Sequence, residues 1–127
     1  MKPCYVTITT TVDGVKTEVS RTGEIALSVA ETVLLYKEEQ ASVRFTLRGE
    51  SAVVERQGDY SMRLRLERGK TCIGMLGLGG AEGEIRTFTH GVKYAVTEKS
   101  LLASLRYDLL INDEPQEMYV RLLARLK

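Results

Sequence analysis

No stretch of this chain is apolar for more than a few residues, far short of the roughly 20 that a membrane-spanning helix needs. Histidine occurs once and cysteine twice, so the usual zinc sites are excluded unless Cys4 and Cys72 converge on His90. The two cysteines are widely separated and follow no spacing motif, which rules out a disulfide framework; they read as reduced core or near-core thiols. A surplus of one charge sign is also missing: 18 basic residues face 17 acidic ones, for a net charge of +1. A dedicated nucleic-acid binder carries a clearly basic surface, so nucleic acid is not the expected partner. Internal repeats, linkers and low-complexity segments are lacking. No window reads as a helix. The nearest attempt, 26–39, is rich in valine, threonine and tyrosine, which favour strands. Met1-Lys2-Pro3-Cys4 leads straight into a strand-like segment without a secretory apolar region, so the expected compartment is the cytoplasm.

What the chain does have is alternation. With 43% hydrophobic and 28% charged residues over 127 positions, it is sized for one domain, 1–127, around one core. Residues 101–111 and 117–126 form a matched pair of period-2 segments, in which Leu101, Ala103, Leu105 and Tyr107 share one phase and Val120, Leu122 and Ala124 another. The turn-rich stretch 112–116 between them suits a hairpin loop. Segments 42–48 and 60–67 alternate as cleanly, with arginines on the phase opposite Phe45, Leu47, Leu64 and Leu66. Asp13-Gly14 is a strong signal for a tight hairpin between strands 4–12 and 15–21. Further strands are expected over 23–29, 32–37 and 84–96, while the one opening at Gly69-Lys70 dissolves into glycine. About ten short strands with turn signals every eight to twelve residues point to an all-β, antiparallel up-and-down barrel, which closes off exposed edges.

The segments Tyr60–Gly69, Glu84–His90 and Ser104–Asp113, in that order, resemble the YwiB-like family of small bacterial proteins of uncharacterised function. The resemblance spans residue 4 to the end and implies a calycin-type β-barrel. Its motifs are alternation and turns, so it implies a fold and no activity. Relative to that family the chain looks trimmed before Thr32 and around Glu82.

Few residues carry a chemical signal. The glycines at 74, 77, 79, 80 and 83 fail as a phosphate loop: the third glycine of a dinucleotide fingerprint begun at Gly77 would fall on Glu82, and no Gly-Lys-Ser/Thr follows. They read as a hairpin loop or bulge. Thr87, Thr89, His90 and Tyr94 form the most polar-aromatic patch and are the candidate lining of a pocket for a small apolar or amphipathic ligand. Arg44, Arg63, Arg65, Arg106 and Arg121 share the outward phase and are the candidate face for RNA or an anionic partner, set against Glu55, Glu67, Asp108 and Glu117 available across the strands. Leu102, Leu110, Tyr119 and Leu123 interrupt the outward face of the closing hairpin and are the candidate contact for a second copy of the chain. No catalytic residue and no cofactor is assigned. The leading expectation is a non-enzymatic binding or interaction protein. A surface-recognition module using the arginines comes second, and an enzyme with His90 as its acid-base group third.

Overall fold

The alternation becomes ten antiparallel strands in a computed structural model that describes residues 1–127. They are β1 (Lys2–Val12), β2 (Val15–Ala26), β3 (Thr32–Glu38), β4 (Ala41–Arg48), β5 (Ser51–Gly58), β6 (Tyr60–Glu67), β7 (Thr71–Leu78), β8 (Ala81–Val96), β9 (Ser100–Ile111) and β10 (Glu114–Leu126). Each pairs with its sequence neighbours, and β1 pairs with β10 from Cys4↔Leu126 to Val12↔Met118, so the meander closes on itself. The fold is an all-β, closed ten-stranded antiparallel barrel. It contains no helix long and apolar enough to cross a membrane.

Tight turns set the register. Asp13-Gly14 (φ 47° and 84°) makes the two-residue connection that its residue types favour. The β9–β10 loop is shorter than the turn-rich sequence suggests: Asn112-Asp113 alone (φ 52° and 63°) reverses the chain, and Pro115 lies within β10, opposite Leu110. The glycine-rich segment also keeps its strands. Gly79-Gly80 turns, β7 runs to Leu78 and β8 resumes at Ala81.

The expected strand over 23–29 is not a separate element, because β2 runs unbroken through Thr22 to Ala26. Gly23 has another role. It lies opposite Cys4 on one side and Tyr36 on the other, where a Cβ would come within 2.2 Å of the Leu35 carbonyl oxygen. The side-chain-free position is what lets β3 approach β2.

Inward side chains from nine of the strands, all but β7, form one core of 21 buried residues. Leu34, Leu47, Leu64, Leu66, Leu101, Leu105 and Leu122 are fully enclosed, and Val6, Phe45, Ala103 and Ala124 fill between them. Alternation explains this: every second residue meets the barrel axis, and burying a leucine side chain contributes about 1.5–3 kcal/mol. Cys4 is buried there, and burial pushes its thiol pKa up.

The strands overlap unequally. β2 and β3 pair only over Gly23–Ala26 and Val33–Tyr36, and β6 and β7 only over Tyr60–Arg63 and Met75–Leu78. Beyond that second seam the β6–β7 turn folds onto β8. Gly69 N–H donates to the Thr89 carbonyl at 2.8 Å, and Thr89 N–H to the Lys70 carbonyl at 3.2 Å.

Candidate functional site

The β8–β9 ladder slips by one residue between Thr89 and Gly91, leaving His90 as the extra residue of a β-bulge. Alternation divides the residues that sequence groups together, and the slip then moves the inward phase from odd to even positions. Thr87 and Thr89, on the near side, point into the barrel and are fully buried; Val92, beyond it, resumes the inward phase. His90 is turned to the outer wall. Thr87 Oγ1 donates to the Arg65 carbonyl at 3.1 Å, whereas Thr89 Oγ1 has no partner. Tyr94 stands at the other end of β8, where its hydroxyl accepts from Gly49 N–H at 3.0 Å and donates to the Val29 carbonyl at 3.5 Å. It ties the β4–β5 turn to the β2–β3 loop. The four candidates therefore do not line one pocket.

On the outer wall, cross-strand register assembles a different group. His90 Nε2 lies 2.9 Å from Asp108 Oδ2; the neutral ring donates to the carboxylate there, and the protonated ring forms an ion pair. Phe88 packs against His90, with centroids 5.0 Å apart and planes at 74°. One step along the ladder Arg106 faces Tyr119, its guanidinium 4.7 Å from the ring centroid, within cation–π range. Asp108 faces Glu117, whose N–H donates to Asp13 Oδ1 at 2.9 Å, while Asp13 N–H donates to the Glu117 carbonyl at 2.9 Å. This clasp holds the β1–β2 turn against β10. Thr11, Gly14, His90, Arg106, Asp108, Glu117 and Tyr119 border a groove of about 460 Å³. It offers one guanidinium, one imidazole, two carboxylates and hydroxyls on a rigid sheet. Arg106 is engaged by the ring of Tyr119 and by none of the salt bridges.

The outward arginines form two groups. Arg44 and Arg63 flank Glu55 in register, and Arg65 pairs with Glu67 at 3.6 Å, so each of these three arginines on β4–β6 has a carboxylate beside it. Arg106 and Arg121 stand apart from these, on β9 and β10. The apolar candidates also separate. Leu102 and Leu123 face each other across β9–β10 and are 47% and 53% exposed, while Leu110 sits opposite Pro115 and Tyr119 lies beneath Arg106.

Sequence reading overlooked Arg56. It continues the inward phase of Ala52 and Val54, and its side chain is only 12% exposed. Its Nη2 lies 2.8 Å from Asp59 Oδ1 and 3.6 Å from Glu38 Oε2, its Nη1 donates to the Tyr60 carbonyl at 2.9 Å, and its guanidinium lies 3.7 Å from the Tyr60 ring centroid. Burial works against the charged form, but the hydrogen bond to Asp59 and the surrounding negative charge hold the Arg56 pKa above its ordinary value. The period-2 phase of β5, carried one step past Glu55, was the available signal.

A family model described as "Domain of unknown function (DUF1934)" matches residues 5–122. Among solved structures, the barrel is similar to the crystal structure of ywiB protein from Bacillus subtilis, with a TM-score of 0.88 at 19% identity over 99% of this chain and 92% of that one. None of the curated proteins matches.

Proposed function

We propose that this chain, which belongs to the DUF1934 family, is a non-enzymatic binding protein whose recognition site is the outer-wall groove around Arg106 and His90. The observation that carries the proposal is the division of labour between the two sides of the sheet. The inward side chains pack together as one core, while the outer wall at the β8 bulge gathers a salt-bridge-free arginine, a carboxylate-bound imidazole and a second carboxylate around one concavity. A small polar molecule with an anionic group matches this set. Its carboxylate or phosphate meets the Arg106 fork, and its hydroxyl or amine groups donate to Asp108 and Glu117. The mechanism is recognition on a preformed surface. The bulge presents His90, Asp108 orients it, and the Tyr119 ring supports the Arg106 guanidinium.

Amide chemical shifts of the labelled protein, followed during titration with a panel of amino acids, hydroxy acids and sugar phosphates, test the reading. Binding shifts His90, Arg106 and Tyr119, and Arg106→Gln abolishes the change. Perturbations centred on inward residues such as Leu105 and Thr89 would move recognition to the interior, and no response to any compound would remove the groove as a site.

A further inference from the structure

β2 outruns its neighbour. The register Gly23↔Tyr36 brings the last residue of β3, Glu38, level with Arg21, so the part of β2 before Arg21 projects past the β3–β4 turn with nothing paired on that side. The β1–β2 hairpin fixes which backbone groups are left over. In a two-residue hairpin the flanking residues, Val12 and Val15, form a hydrogen-bonded pair, so the odd-numbered residues of β2 bond to β1. Lys16, Glu18 and Ser20 therefore aim their N–H and C=O groups outward, along a free sheet edge of the kind that templates pairing with another strand. Val15 on this segment is 70% exposed.

We infer that this edge pairs with the same edge of a second copy, in antiparallel register centred on Thr17. The segment's own pattern selects the partner and the register. Centring on Thr17 sets Lys16 opposite Glu18 of the partner subunit twice over, sets Val15 opposite Val19 of the partner subunit on the other face, and brings Asp13 level with Arg21 of the partner subunit. Centring one residue earlier opposes lysine to lysine, and one residue later glutamate to glutamate. Centring on Val19 sets Glu18 opposite Ser20 of the partner subunit and Lys16 opposite Thr22 of the partner subunit, so neither charge meets its opposite. Only the Thr17 register joins free backbone groups, matches opposite charges and stacks apolar on apolar. It adds about four backbone hydrogen bonds and makes one sheet running β10–β1–β2 from barrel to barrel. The interface is isologous and small, so the dimer is reversible and concentration-dependent.

Sedimentation velocity from micromolar to millimolar protein tests this, since the weight-average mass should rise from 14.2 kDa toward twice that value. Lys16→Glu opposes two glutamate pairs and should weaken the dimer by about tenfold or more. The charge swap Lys16→Glu with Glu18→Lys should restore it. Glu18→Pro removes an N–H that the barrel itself does not use and should abolish association with the circular dichroism of the strands retained. Leu123→Arg, on the closing hairpin, should change nothing. A mass of 14.2 kDa at every concentration, a dimer indifferent to Lys16→Glu and Glu18→Pro, or a dimer lost in Leu123→Arg would each overturn the inference.

Discussion

Thr87 and Thr89 stand two residues apart on β8, both fully buried on the inward face, and only Thr87 has a hydrogen-bond acceptor for its hydroxyl. A buried hydroxyl without a partner costs about 1–3 kcal/mol in lost hydration, while a satisfied one contributes about 1 kcal/mol. Thr89→Val should therefore raise unfolding free energy by about 1 kcal/mol, and Thr87→Val should lower it by a similar amount. Urea denaturation of the two variants checks the opposite signs. Destabilisation by Thr89→Val would mean that its hydroxyl is satisfied by a buried water.

Gly23→Ala should destabilise the barrel by about 1–3 kcal/mol, because the new methyl meets a backbone oxygen that cannot swing away. Gly83→Ala serves as the control. Its Cβ would meet nothing within 4 Å, so a change within about 0.5 kcal/mol is expected. Hydrogen exchange of the β2–β3 amides should speed up in the first variant and stay unchanged in the second.

Thiol labelling should proceed in two phases. Cys72 is partly exposed, whereas Cys4 is enclosed and its thiol pKa is raised by burial, which lowers the thiolate fraction as well as access. With Ellman's reagent on the native protein, one thiol should react at least about 100-fold faster than the other. In Cys72→Ser the fast phase should vanish.

Acid should weaken the Arg56 cluster. The hydrogen bond from Arg56 is the main cause holding the Asp59 carboxyl below its ordinary pKa of 3.8. A depressed folded pKa means that stability is present above the ordinary value and is lost as pH falls through it toward the folded one. Arg56→Met removes that contribution, so the difference in urea midpoint between wild type and variant should shrink between about pH 5 and about pH 2. A constant difference across that range would place the role of Arg56 in packing against Tyr60 alone.

The barrel was legible because strand alternation is local information. Leu101 to Tyr107 and Val120 to Ala124 show their inward phase without knowledge of any partner, and the family resemblance rests on the same signal. What escaped depends on neighbours that the sequence does not display. Gly23 looks like a turn residue until β3 is laid beside it. Val92 and Tyr94 look outward by alternation from Thr87 and Thr89 until the one-residue slip against β9 returns them to the inward phase. Whether Arg106 and Arg63 belong to one band depends on the strands that lie between them. The candidate site was accordingly read only in part: His90, Arg106 and Tyr119 were each singled out, but in three different sets, and Asp108 was counted only as an acidic counterpart available across the strands.

Every ladder of the barrel but one joins strands adjacent in sequence, and the exception, β1 with β10, joins the two ends of the chain. Nine hairpins can zip with little loss of chain entropy, since each closes a short loop. Bringing Cys4 beside Leu126 closes almost the entire polypeptide at once. That loop-closure cost falls on a single seam, so the seam should condense last during folding and be the first to part under force.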